Sequence, residues 1–166
     1  MIDVSALSRQ YVVRRLHDTD ADSVLDLCAE NTQFYRYCEA SPSREQVLND
    51  LHILPPGVEP SAKYYVGFYR EGVLAAVMDL IDGYPKPDIA FIGFFMMRKA
   101  LQGRELGSVI IGETAAYLKT LGKTAIQLGI DRENPQSTHF WKKNGFRVTR
   151  EVVRGGWTVL VAEKTL

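Results

Sequence analysis

Met97-Arg-Lys-Ala-Leu-Gln-Gly-Arg-Glu-Leu-Gly-Ser-Val-Ile-Ile111 is the stretch from which the rest of the chain is read. Before it, Ile89–Met97 is almost wholly apolar and reads as a buried strand with both faces covered. After it, residues 106–121 carry a helical period, with Leu106, Val109, Ile110, Tyr117 and Leu121 close to one stripe. Gly122 suits the end of that helix. Between strand and helix lie Gln102, Gly103, Arg104, Glu105, Leu106, Gly107 and Ser108. A short polar turn of this kind leaves backbone N–H groups without carbonyl partners at the helix start. Those donors, with the positive end of the helix dipole, suit a phosphate, and small residues let a ligand approach the backbone. An ordinary turn that binds nothing fits the same residues, because loose glycine patterns are a weak signal.

Working outward, residues 123–130 alternate through Ile126, Leu128 and Ile130 and form the next strand. Strand, helix and strand in this order make neighbouring parallel strands the natural arrangement. Asn134-Pro135 opens a further helix, with Asn as cap and Pro at the first helical position, and Asn144-Gly145 closes it. Residues 146–154 and 157–164 are then two strands about the Arg154-Gly155-Gly156 turn. Upstream, residues 64–69 and 73–81 pair as a hairpin about Glu71-Gly72, and residues 82–87 turn the chain into Ile89–Met97. Earlier still, Ser43-Arg-Glu-Gln46 fits a capping box for a helix over residues 44–53, stopped by Leu54-Pro-Pro-Gly57. Asp18, Asp20 and Asp22 supply oxygens and negative charge to the start of a helix that ends near Asn31, with Val24, Leu27 and Cys28 on its apolar side. Residues 11–15 are the first strand. Residues 1–10 are a polar lead expected to be flexible. Phe34, Tyr35 and Tyr37 follow the first helix; they line a substrate groove or, the plainer reading, pack beneath neighbouring helices.

At 166 residues the chain is expected to be one domain, residues 1–166, with a substantial core. The 20 Lys and Arg against 20 Asp and Glu leave no net charge to draw nucleic acid or anionic lipid. Cys28 and Cys38 have no metal spacing, and His17, His52 and His139 lie apart from them, so no metal site is expected. Two reduced thiols and no signal peptide or membrane-crossing stretch point to a cytoplasmic protein.

Three features coincide in order: a strand leading into Gln102-Gly-Arg-Glu-Leu-Gly107, a second strand ending before Asn134-Pro135, and Phe140-Trp-Lys-Lys-Asn-Gly-Phe146 followed by a hairpin. Together they resemble the GNAT superfamily of acetyl-CoA-dependent N-acetyltransferases. The clear resemblance covers residues 89–146, and the strand order extends it over nearly the whole chain. It implies an α/β (α+β) fold: a mixed, mostly antiparallel sheet with a central parallel, splayed strand pair, flanked by helices on both faces. It also implies a cosubstrate, acetyl-CoA, entering the splay, and no metal.

The implied site follows by position. Gln102 matches the residue opening the family's pyrophosphate turn and Gly107 its final Gly, so the amides of Gln102, Gly103, Arg104, Glu105, Leu106, Gly107 and Ser108 would cradle the pyrophosphate. The backbone of Phe95, Met96 and Met97 would pair with the pantetheine arm, and the Met96 N–H would polarise the thioester carbonyl. Asn134 would contact the pantetheine, and Trp141 stands by it. Lys99, Arg104, Lys142 and Lys143 would add charge near the phosphates, or are plain solvated side chains.

Three departures from the family pattern stand out. Glu105 occupies the place of the turn's first Gly. Trp141 occupies the place of a Tyr that protonates the leaving thiolate, and an indole is not a useful acid; Tyr35, Tyr37 and Tyr84 are other hydroxyls without positional support. Ile89–Met97 contains no acidic residue to serve as base. Asp79, one strand away, is the candidate proton acceptor, against the plainer reading of a solvent-facing carboxylate.

The expected reaction is direct attack of a primary amine, on a small molecule or a peptide, on the acetyl thioester. A catalytically impaired coenzyme A-binding module and an acyltransferase for longer acyl groups remain open. A P-loop nucleotide site is disfavoured, because no Gly-Lys-Ser/Thr follows the turn. The residues carry no readable acceptor code, and a homodimer is an open option.

Overall fold

A computed structural model describes residues 1–38 and 40–166. One seven-stranded sheet organises the chain: β1 (Val12–Arg15), β2 (Lys63–Arg70), β3 (Val73–Asp82), β4 (Ile89–Met97), β5 (Ala125–Asp131), β6 (Arg147–Arg154) and β7 (Trp157–Thr165). The spatial order is β1-β2-β3-β4-β5-β7-β6. Every neighbouring pair is antiparallel except β4 and β5, joined through the helix α4 (Leu106–Thr120). The other helices are α1 (Ala21–Ala29), the single turn α2 (Thr32–Tyr35), α3 (Arg44–His52) and α5 (Pro135–Lys143).

The mixed, mostly antiparallel sheet with its central parallel pair is the one the resemblance implied. Helices cover both faces. On one side Ile110, Leu118, Trp141 and Phe146 from the α4–α5 half pack on Phe68, Met78, Leu80 and Ile92. On the other, Val24, Leu27, Val47 and Leu51 of α1 and α3 pack on Tyr65, Val77 and Met96. Two of the caps read from the sequence are formed: Ser43 accepts from the Gln46 N–H (3.1 Å), and Asn134 Oδ1 from the Ser137 N–H (3.0 Å). The cap expected from the aspartates before α1 is not: Asp20 makes no capping bond to α1, because its carboxylate is taken by Arg14 and the His17 N–H.

Two further expectations are corrected. Residues 1–10 are not a loose lead. Val4–Leu7 forms a turn of 3₁₀ helix, and Leu7 is fully buried in the core beside α4. Ser8 Oγ donates to Glu113 Oε2 at 2.5 Å, and the Ile2 N–H donates to Tyr64 Oη at 3.0 Å. The segment reads as polar, yet two of its apolar side chains, Ile2 and Leu7, are buried in the core and Val4 packs against it. The second correction is the α4 stripe. The buried side is Gly107, Ile110, Ile111, Thr114, Ala115 and Leu118, while Leu121 is 42% exposed. The buried side takes in Thr114, whose Oγ1 donates to Leu7 O (3.3 Å), so the amino-terminal segment covers a flank of α4 that no period along the helix records.

The parallel pair holds only from Ile89↔Ala125 to Ile92↔Leu128. Beyond that, β4 runs on to Met97 and β5 to Asp131 without pairing to each other. This splay, just past an irregularity at Asp79/Leu80 in the β3–β4 register, positions everything described next.

Candidate active site

The splay opens into a cavity of about 440 Å³. Its walls include Phe95, Met96 and Met97 from β4, and Gln102, Gly103, Glu105, Gly107 and Ser108 from the turn into α4. From α5 and its cap come Trp141 and Asn134. Arg104 is exposed and Leu106 packs against the core, and neither side chain forms part of the wall.

The turn is built to leave its amides free. The Gln102 N–H donates to Lys99 O (3.2 Å), and the next N–H to find a backbone carbonyl is that of Val109, donating to Glu105 O (3.0 Å). Among the described residues, the N–H groups of residues 103–108 donate to no carbonyl. The open run is therefore one residue shorter than the 102–108 expected from sequence, because a 3₁₀ turn at Lys99–Leu101 takes the Gln102 amide. Gly103 and Glu105 both have positive φ, 72° and 62°. That accounts for a glycine preference at position 105, where a side chain costs roughly 1 kcal/mol or more. The Glu105 carboxylate turns away to an ion pair with Lys143 on α5. Glycine suits position 107 for a different reason. A Cβ there would lie 2.9 Å from Met97 Sδ and 3.2 Å from the Phe140 ring, so a larger residue would have to push these side chains aside where α4 starts against β4 and α5.

The Gln102 side chain has a structural role. Its Nε2 donates to Asn31 Oδ1 (2.5 Å) and to Met97 O (3.0 Å), and Asn31 Nδ2 donates to the same carbonyl (3.1 Å). Asn31 is buried and lines the cavity, tying the end of α1 to the end of β4. Sequence reading missed it; its one signal was its place as a polar residue closing the first helix.

The ladder corrects one assignment. The Arg98 N–H donates to Ala75 O (2.8 Å), and the register runs Met97↔Ala76, Met96↔Val77. Antiparallel pairing alternates, so the Met96 N–H faces β3, and the N–H groups of Phe95 and Met97 face the splay. Periodicity shows which side chains share a face, but not which edge an amide addresses.

Trp141 is a wall and core residue. It is 7% exposed and packs edge-on against Phe140 and Phe146, with ring centres 5.0 Å away in each case. Of the alternative hydroxyls, none lines this cavity. Tyr35 packs with the α1–α3 core, where burial pushes its phenol far above the ordinary range, and Tyr84 stacks edge-on with Phe91 elsewhere.

A second cavity, about 480 Å³, is also bordered by β4 and includes Asp79, Tyr84, Phe91, Gly93 and Phe94 in its walls. Asp79 is 7% exposed, contrary to the solvent-facing reading. Its Oδ2 accepts from Lys63 Nζ at 2.8 Å, and Lys63 also donates to Ile53 O at 3.0 Å. The other oxygen, Oδ1, is buried and meets no donor among the described residues. Burial pushes the Asp79 carboxyl above its usual range, and the Lys63 ammonium pulls it partly back. Gly93 makes the space: a Cβ there would sit 2.6 Å from Asp79 Oδ2. Neighbouring residues of one strand, Phe94 and Phe95, thus border two different cavities.

A family model, that of the acetyltransferase (GNAT) family, matches residues 24–146, a span holding the splay, the turn and α5. The chain belongs to the GNAT family of acetyltransferases. Among curated relatives, an uncharacterized N-acetyltransferase of Methanocaldococcus jannaschii, MJ1207, is 29% identical over 90 residues, 54% of this chain and 39% of that protein. The matched part of this GNAT chain thus spans well under half the length of that relative. Solved structures share its fold. An acetyltransferase from Thermus thermophilus superposes with a TM-score of 0.75 at 22% identity, covering 93% of this chain and 96% of that one. The PaiA N-acetyltransferase of Thermoplasma acidophilum, solved in complex with coenzyme A, gives a TM-score of 0.67 at 18% identity over 93% and 98%. A spermidine N-acetyltransferase SpeG chimera from Vibrio cholerae and hSSAT gives 0.68 at 20% identity over 94% and 95%.

Among the described residues, no helix is long and apolar enough to cross a membrane, and no three His, Cys, Asp or Glu side chains gather to hold a metal.

Proposed function

We propose that this GNAT protein is an N-acetyltransferase that moves the acetyl group of acetyl-CoA to a primary amine by direct attack on the thioester. The observation that carries the reading is the pair of cavities that border β4 at the splay, the first walled by a turn of unpaired amides. Coenzyme A is a long polyanion with an amide-rich arm. It needs N–H donors for its diphosphate and a strand edge for its arm. The amides of residues 103–108 at the start of α4 suit the diphosphate, with Lys143 already bringing a cation beside Glu105. The gap-facing edge of β4 suits the arm through Phe95; the Met97 carbonyl is already held by Asn31 and Gln102.

The second cavity then takes the amine. As the nitrogen attacks, the thioester oxygen gains charge, and a gap-facing amide of β4, that of Phe95 in place of Met96, stabilises it. Asp79 accepts the proton that the amine must lose. The C–N bond forms, the C–S bond breaks, and coenzyme A leaves as thiolate. With Trp141 in place of a phenol, solvent in the open cavity protonates the sulfur. Alignment of the two substrates across one strand supplies much of the remaining acceleration.

The Trp141 substitution also favours a second reading, a coenzyme A-binding module without turnover. Purified protein should gain thermal stability with acetyl-CoA and release free thiol in the presence of an amine panel. Stabilisation without thiol release supports the binding module. Neither effect at millimolar acetyl-CoA removes both readings.

A further inference from the structure

The second cavity carries a charge pattern that the transfer reaction does not require. Its inner end holds Asp79, with Asp50 also in the wall and the buried Lys63 bonded to Asp79. Two carboxylates against one ammonium leave that end with a formal charge of one minus, and Asp79 Oδ1 is an acceptor without a donor among the described residues. The opposite end is basic. Arg150, Val152 and Arg154 alternate along β6, so they share the face that lines the cavity. Neither arginine has an ion-pair partner among the described residues; on this strand it is Glu151, facing the other way, that pairs with Arg132. Between the two ends the wall is mainly apolar and aromatic, formed by Tyr84, Phe91, Phe94, Val159 and Val161, with the amide side chain of Gln127 from β5 among them.

Distance narrows the pattern further. In the order β3-β4-β5-β7-β6, Asp79 and the two arginines are four strand steps apart. At about 4.8 Å a step, their backbones are roughly 19 Å apart before the splay is counted. Long arginine side chains shorten the gap without closing it. An α-amino acid, whose amine and carboxylate share one carbon, cannot touch both ends.

We propose that the acceptor is an elongated amine that carries an anionic group at its far end, with an apolar body between the two. The amine enters at Asp79, and the anion meets Arg150 and Arg154. This rests on the acetyltransfer reading above and adds the acceptor class to it. The same arrangement selects against diamines, because a second ammonium would be driven onto two unpaired guanidinium groups.

The test uses the full chain, acetyl-CoA and three acceptors of one length: ω-aminooctanoate, octylamine and α,ω-diaminooctane. The expected order of kcat/KM is ω-aminooctanoate first, octylamine about tenfold or more behind, and the diamine last. In the Arg150→Gln/Arg154→Gln double variant the ratio of ω-aminooctanoate to octylamine falls toward one. In Arg150→Lys/Arg154→Lys, which keeps both charges, a preference for the anionic acceptor returns. The rise in melting temperature on adding coenzyme A reports that each variant is folded. Octylamine or the diamine matching or exceeding ω-aminooctanoate overturns the proposal, as does a Gln double variant that keeps the wild-type ratio. If no amine releases thiol while coenzyme A still stabilises the protein, the acetyltransfer reading itself has failed, and the acceptor class falls with it.

Discussion

Asp79 illustrates how one residue's chemistry depends on what surrounds it. In the sequence it is a lone acid in an apolar strand. In the fold it is buried in the wall of a cavity, shares one oxygen with Lys63 and has no donor for the other among the described residues. Burial raises its pKa above the ordinary 3.8, with Lys63 opposing. As a proton acceptor it must be ionised, so transfer is lost as pH falls through the raised value and recovers as pH climbs past it. Asp79→Asn should lower kcat by about a hundredfold or more and abolish that acid limb; a variant profile superposing on the wild type would exclude the role. The sign for stability is the reverse. The folded carboxyl holds its proton to higher pH than the unfolded one. Its contribution therefore favours the fold at low pH and declines as pH rises from the unfolded value through the folded one. Glu105 is a second case at this scale. Its positive φ explains why a glycine suits the position, and its ion pair with Lys143 draws the carboxylate away from the open amides of the turn.

Elements are legible where local periodicity and capping chemistry coincide. The hairpin about Glu71-Gly72, the β4–α4–β5 unit and the Asn134-Pro135 helix start all follow from residues a few positions apart. The amino-terminal segment defies that reading because its order comes from contacts about a hundred residues away, Ser8 with Glu113 and Leu7 with the core beside α4. The difference is measurable. Leu7→Ala removes a fully buried side chain and should lower unfolding stability by about 2–5 kcal/mol in a denaturant titration. A loss under about 0.5 kcal/mol, the size expected of a surface change, would mean that the segment is not part of the cooperative unit.

At the scale of the molecule, the two cavities have separate linings along β4, Phe95, Met96 and Met97 bordering one and Phe91, Gly93 and Phe94 the other. Coenzyme A in the first should therefore stabilise the protein without help from the second. At about a hundred times its dissociation constant the gain is about 2.7 kcal/mol. Gly93→Ala pushes a methyl group into the Asp79 carboxylate and should depress acetyl transfer while leaving that gain intact. Loss of both together would show that the cavities are not separable in function.

The crossover helix, the glycine-bearing turn before it and family membership were legible in residues 89–146, because glycines, caps and apolar periods act over a few positions and leave their mark in the order of residues. The folded chain alone decided which amides of β4 face the gap, that the Gln102 N–H is already taken, that Asn31 and Gln102 clasp the Met97 carbonyl, and that Asp79 is buried with Lys63. These depend on cross-strand register and on side chains meeting from distant segments, and no local pattern along the chain records who will stand opposite whom.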